Sequence, residues 1–219
     1  MKVLIIEDEK ELAKILKKGL EDNFFEVDIS NDGEEGLNKI ISTDYMAIIL
    51  DLSLPKYDGI YILDYMRKNN YLTPVLILTA KNDINSRISS FNIGADDYVT
   101  KPFNFFEIVA RLNALIRRSK GKASPIIKIK DLEIDSNTRT VFRANIEINL
   151  SSKEYNLLYF LALNSNKIVS RSEIYDNLYD FETNSNMIDV YINYLRNKID
   201  KNFNEKLIKT IRGSGYILQ

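Results

Sequence analysis

Five residues in the first half of the chain are suited to one kind of chemistry: the adjacent carboxylates Glu7 and Asp8, a third carboxylate at Asp51, a hydroxyl at Thr79 and an ammonium at Lys101. Each follows or closes a short apolar, strand-like run. Three carboxylates within a few ångströms repel one another and raise each other's pKa values unless a cation joins them. With oxygen ligands only, that cation is Mg²⁺, held by one or two carboxylates, waters and a phosphate oxygen. The metal and Lys101 together can neutralise an incoming phosphoryl group and leave Asp51 as the nucleophile. The bland alternative is acidic residues in solvated loops. It is the better reading for any one of the five and a poor one for all five in register.

The elements that must bring them together are legible in the pattern. Strand candidates are Lys2–Ile6, Glu26–Ser30 and residues 46–50, 75–79 and 97–100, several of them continuous apolar runs as in parallel strands covered on both faces. Between them lie apolar residues at helical spacing: Leu12, Ile15, Leu16 and Leu20; Leu37, Ile40 and Ile41; Ile60, Leu63 and Met66; Ile108, Leu112, Leu115 and Ile116. Strand and helix alternating five times predict a doubly wound α/β domain with a five-stranded parallel sheet over residues 1–118. Ligands of such a sheet bind at the carboxyl ends of its strands, where all five residues fall.

Residues 119–125, Ser-Lys-Gly-Lys-Ala-Ser-Pro, are polar and without periodicity and read as a linker. The pattern then changes to an α+β one over 126–219. Short strands fill 126–150, helices are predicted at 152–164, 171–179 and 187–199, and a Gly213-Ser214-Gly215 turn joins the strands of a closing β-hairpin. Strands, three helices and a terminal hairpin make a winged helix-turn-helix.

Composition narrows the chemistry. The chain has no Cys and no His, which removes disulfides, thiolate nucleophiles, His general bases and Cys- or His-ligated metals. Any phosphohistidine must come from another molecule. Residues 1–118 carry 15 Lys/Arg against 19 Asp/Glu, and 127–219 carry 13 against 12, so the halves differ in charge and in expected partners. No apolar run approaches the roughly 20 residues of a membrane span, and the N-terminus lacks a signal-peptide pattern, so a cytoplasmic protein without membrane contact is expected.

Glu7-Asp8, Leu50-Asp51-Leu52-Ser53-Leu54-Pro55, Leu78-Thr79-Ala80 and Gly94-Ala95-Asp96-Asp97-Tyr98-Val99-Thr100-Lys101-Pro102-Phe103 closely resemble the receiver domains of OmpR/PhoB-type two-component response regulators. The resemblance continues into Leu150-Ser151-Ser152-Lys153-Glu154-Tyr155 and Ile211-Arg212-Gly213-Ser214-Gly215-Tyr216. It implies sheet order 2-1-3-4-5 and a cis peptide before Pro102 that turns Lys101 toward the phosphate. It implies Asp51 as phosphoacceptor, Mg²⁺ on Asp8, Asp51 and the Ser53 carbonyl with Glu7 acting through water, Lys101 on the phosphate, Thr79 moving to meet it and Tyr98 turning inward behind it. A sensor histidine kinase would supply the phosphoryl group. Phosphorylation would drive homodimerisation through cross-subunit pairs of Arg87 with Glu107, Asp97 with Arg111 and Asp96 with Arg118.

The same resemblance makes 187–199 the recognition helix of a domain that binds double-stranded DNA, with Ile188, Tyr191, Ile192 and Leu195 inward. Asn186, Met187, Asn193, Tyr194, Arg196 and Asn197 would face the groove or its phosphates, joined by Arg212 in the wing. Relatives usually carry Arg at the positions of Asn186, Asn193 and Tyr194. Asn pairs bidentately with adenine, so A/T-rich sites are expected, and the resemblance implies that they are direct repeats. RNA polymerase is a further partner open to such a domain.

A haloacid-dehalogenase-like phosphatase would need a second acid two residues after its nucleophile, where this chain has Ser53. A regulator rather than a dedicated enzyme is therefore expected, with slow self-dephosphorylation at most. The remaining rival is an atypical winged-helix regulator that works without phosphorylation, against which the complete set of five residues stands.

Overall fold

Runs of Val, Ile and Leu with no polar face form strands only where both faces are covered. In the computed structural model β1 (Lys2–Ile6) and β3 (Ala47–Asp51) are buried along their whole length. With β2 (Glu26–Ser30), β4 (Val75–Ala80) and β5 (Asp97–Lys101) they make a parallel sheet of order β2-β1-β3-β4-β5. Helices α1 (Lys10–Asp22), α2 (Gly33–Ser42), α3 (Gly59–Lys68) and α4 (Phe105–Ser119) are its described helical elements. The structure describes residues 1–80, 90, 92–178 and 186–219, with the backbone alone at Ala80 and Asn186. The chain divides into two units, Met1–Ser119 and Lys120–Gln219. No described helix is long and apolar enough to cross a membrane.

Local chemistry starts the helices. Asp32 caps α2 by accepting from the Glu35 N–H, and Asp58 caps α3 by accepting from the Tyr61 N–H. The core of the first unit gathers Leu4, Ile6, Ile48, Leu50, Ile62, Leu63, Met66 and Ile77, with Tyr98 packed half-buried against it. Each such aliphatic side chain contributes about 1.5–3 kcal/mol by its burial. Two expected members of the apolar stripes are exposed instead, Ile15 at 65% and Ile41 at 50%. Each follows or precedes a residue that already fills the inward position, Leu16 and Ile40, and a neighbour one step along a helix points about 100° away.

In the second unit β6 (Ile126–Ile129), β7 (Leu132–Asp135), β8 (Thr140–Arg143) and β9 (Ile146–Glu147) form an antiparallel sheet in chain order. Helix α5 (Ser152–Leu163) opens with a capping box in which Ser151 and Glu154 satisfy each other's backbone N–H groups. Helices α6 (Arg171–Leu178) and α7 (Asn186–Leu195) follow, and β10 (Ile208–Ile211) pairs antiparallel with β11 (Gly215–Leu218) as the wing. The single helix expected at 187–199 ends at Leu195 and passes into a π-turn, Arg196–Asp200, in which the Lys201 N–H reaches the Arg196 carbonyl at 2.8 Å. The backbone widens there because Asp200 is drawn to the wing: its carboxylate accepts from the Leu207 and Ile208 N–H groups.

Candidate functional site

The register of the parallel sheet delivers the chemical residues to one rim. Asp51 ends β3 beside Leu78, Thr79 lies opposite Thr100, and Lys101 ends β5 opposite Ala80. Glu7 and Asp8 follow β1 directly. Strands β3, β4 and β5 each run one residue further than their sequence pattern suggested, so Asp51 and Lys101 are held by the sheet itself. The Lys101–Pro102 peptide is cis.

Lys101 Nζ lies 2.5 Å from Asp51 Oδ2 and 2.7 and 3.0 Å from the two oxygens of Glu7. The other Asp51 oxygen, Oδ1, accepts from the Ser53 N–H at 3.0 Å. Both oxygens of the candidate nucleophile are thus occupied. Glu7 is fully buried, Asp51 is 6% exposed and Asp8 is open to solvent. Burial dominates at Glu7 and pushes its pKa from 4.5 up to about 7, against the lowering effect of the Lys101 hydrogen bond. At Lys101 burial is also the largest influence and works downward. The hydrogen bonds and charges of Asp51 and Glu7 together outweigh it, so its pKa is raised.

Glu7, Asp8 and Asp51 each place a carboxylate oxygen within 4.8 Å of the others. One ammonium for three carboxylates, with a buried acid forced toward neutrality, leaves an oxygen donor set that fits a hard divalent cation. Thr79 is buried at 2% exposure on the neighbouring strand, and Tyr98 is half-buried one strand further.

Around the rim the residues expected at the dimer face are engaged within the single chain. Asp96, expected to pair with Arg118 of a second copy, binds Arg67 of α3 at 2.8 Å here and accepts from the Val75 N–H, because the turn before β5 folds it back over the start of β4. Arg118 is exposed at the end of α4. Arg111 is held within its own chain by Asp97 at 2.8 Å and by Glu107 at 2.7 Å. Arg87 lies outside the described residues.

On the second unit Ile188, Ile192 and Leu195 turn inward as expected, and Tyr191 is half-buried. Asn193, Tyr194 and Asn197 are exposed, Met187 is half-buried, and Arg212 is exposed at the wing tip. Asn186 begins α7; its side chain lies outside the described residues. Val190, exposed at 36%, joins Asn193, Tyr194 and Asn197 at spacings of three and four, a position its apolar type hid in the sequence. The Arg196 guanidinium donates to the Ile208 carbonyl at 3.2 Å and to Thr210 Oγ1 at 2.7 Å, inside the wing. Lys198 is likewise engaged by Glu154 at 2.7 Å.

Comparison with known proteins follows this geometry. The family model of the response regulator receiver domain matches residues 3–113, and that of the transcriptional regulatory protein C-terminal domain matches residues 145–218. The transcriptional regulatory protein PcoR of Escherichia coli is 39% identical across 100% of this chain and 97% of its own length. The response regulator ArlR of Staphylococcus aureus is 41% identical across 99% of each. A solved Francisella response regulator receiver domain aligns with 38% identity and a TM-score of 0.52, covering 54% of this chain and 98% of that one.

Proposed function

The chain belongs to the OmpR/PhoB family of two-component response regulators, with a receiver domain and a DNA-binding transcriptional regulatory domain, and from that premise we propose that Asp51 is its phosphoacceptor. The observation that carries this is the Asp51 carboxylate at the rim, held by Lys101 and the Ser53 N–H beside Glu7 and Asp8. A histidine kinase presents its phosphohistidine, since this chain has no His. An Asp51 oxygen attacks phosphorus, the P–O bond forms as the P–N bond breaks, and the bonding pair leaves with the imidazole.

For Oδ2 to attack, Lys101 must release it. The ammonium, already aligned, then follows the charge onto the phosphoryl oxygens. Asp8, Asp51 and the Ser53 carbonyl, with Glu7 behind them, would hold Mg²⁺, which would supply further charge neutralisation. Thr79 moves outward to the phosphoryl group, and Tyr98 follows into the space it leaves. The phosphorylated receiver pairs with a second copy through its β5–α4 face. That requires Arg111 to exchange partners within the Asp97–Glu107 cluster. Two tethered winged helices then bind adjacent half-sites, with Asn193, Tyr194, Asn197, Met187 and Val190 toward bases and Arg212 toward phosphate or minor groove. The protein is a regulator acting in the cytoplasm, not a dedicated enzyme, and RNA polymerase is the partner through which DNA binding would reach transcription.

Intact-mass measurement after incubation with a small phosphodonor and Mg²⁺ tests the assignment. Wild type should gain one phosphoryl group and Asp51→Asn none, with the variant's circular dichroism unchanged. Full labelling of the variant would remove Asp51 from the role. Failure of wild type to label from the donor and from kinase would favour the phosphorylation-independent reading.

A further inference from the structure

The two ends of the π-turn grip the wing around Ile208, the first residue of β10. Arg196 and Asp200 stand four residues apart. The Arg196 guanidinium donates to the Ile208 carbonyl at 3.2 and 3.3 Å and to Thr210 Oγ1 at 2.7 Å. Asp200, 2% exposed, accepts from the Ile208 N–H at 3.1 Å and from the Leu207 N–H at 2.9 Å. Both backbone groups of the strand's first residue are therefore held by side chains of the preceding turn.

A second tie crosses to the other wing strand. Tyr216 of β11, 2% exposed, donates its hydroxyl to Asp189 in the first turn of α7. Arg171 at the head of α6 binds Asp189 at 3.1 Å and the Tyr216 hydroxyl at 3.1 Å, with its guanidinium 4.9 Å from the ring centre. The Arg196 guanidinium lies 5.9 Å from the same ring. The Tyr216 backbone is fixed in turn by a two-way bridge to Val169, at 2.8 and 2.9 Å.

We propose that Arg196, Asp200, Asp189, Tyr216 and Arg171 form a lock that sets the wing against the recognition helix, and that Arg196 is a positioning residue acting through the wing and not a DNA phosphate contact. Side chains on helix and wing must meet base edges and backbone together, and a shift of one element relative to the other separates those contacts. This rests on the DNA-binding reading of Lys120–Gln219.

Salt dependence separates the two roles of an arginine. A residue that neutralises a phosphate contributes about 0.9 to the slope of log affinity against log salt, and a positioning residue contributes nothing to it. The full-length chain is titrated with a duplex that wild type selects from a random pool and with a scrambled duplex of equal length and composition. Affinity is measured across salt concentrations, well below the melting temperature of every variant. Arg196→Gln and Tyr216→Phe should each lower the selected-to-scrambled affinity ratio about tenfold, the scale of one lost base-pair contact, and leave the slope on scrambled DNA unchanged. Arg212→Gln is the comparator and should reduce that slope. Tyr216→Phe removes a hydroxyl and no cation, so it carries the test if Arg196→Gln folds poorly. Arg196→Gln behaving like Arg212→Gln, or either lock variant keeping both ratio and slope, would overturn the lock. If wild type bound neither duplex, the DNA-binding reading itself would fall.

Discussion

At Glu7 a carboxylate is buried completely while an ammonium lies 2.7 Å away, and burial still prevails. Its raised pKa makes a stability prediction. The folded chain keeps the Glu7 proton up to about pH 7, whereas the unfolded chain loses it near 4.5. Between those values the folded state binds more protons, so the contribution is complete below 4.5 and is lost as pH rises to about 7. In metal-free buffer the difference in unfolding free energy between wild type and Glu7→Gln should change by on the order of 2–3 kcal/mol across that window, with wild type losing stability. Denaturant melts at pH 4.5, 6 and 7.5 measure it, and a constant difference would show that Lys101 keeps Glu7 ionised throughout. The five rim residues were legible in sequence because parallel strands of known period deliver their C-terminal residues to one edge. Their partners were not. Lys101 reaches Glu7 across 94 residues and Asp96 reaches Arg67 across 29, and only folded distances select such pairs from many carboxylates.

Strands and helices were the more readable level, since apolar period alone separates the two halves. Their ends were less so. The strand that carries Asp51 extends to include it because the β3–β4 ladder continues to Leu78. The recognition helix stops at Leu195 because Asp200 takes wing N–H groups 7 and 8 residues away, a tertiary tie with no local signature. Gly59 is fixed by the approach of elements. A Cβ at Gly59, the first residue of α3, would meet the Asp51 carbonyl oxygen at 2.2 Å and Leu52 Cα at 2.8 Å, and backbone cannot move aside as a flexible side chain can. Gly59→Ala should therefore cost about 1–3 kcal/mol by overpacking, and should slow phosphorylation because the displaced atoms belong to Asp51. Chemical denaturation and the labelling rate read the two effects. An unchanged labelling rate in a destabilised variant would separate the α3 start from the site.

Across the whole molecule, phosphate on the first unit must change what the second unit does on DNA, and a shared dimer is the simplest link. The Asp97–Arg111–Glu107 cluster is closed within one chain, so reversing its cation should weaken any dimer that borrows it. With beryllofluoride and Mg²⁺, Arg111→Glu should dimerise at least tenfold more weakly than wild type in sedimentation equilibrium, about 1.4 kcal/mol. Equal dimerisation would place the interface elsewhere. Near-neutral charge over 127–219, together with Arg196 and Lys198 held by protein groups, leaves few cations for phosphates, so one subunit alone should bind DNA weakly. Joining two subunits raises the effective concentration of the second and can add 10²- to 10⁴-fold in affinity, by a rough general estimate. The most direct measurement is the affinity of the full-length chain for its selected duplex, with and without phosphodonor and Mg²⁺, in wild type and Asp51→Asn. Coupling from Asp51 to DNA predicts a rise of about 100-fold in wild type and none in the variant. Equal affinity of phosphorylated and unphosphorylated wild type would contradict it.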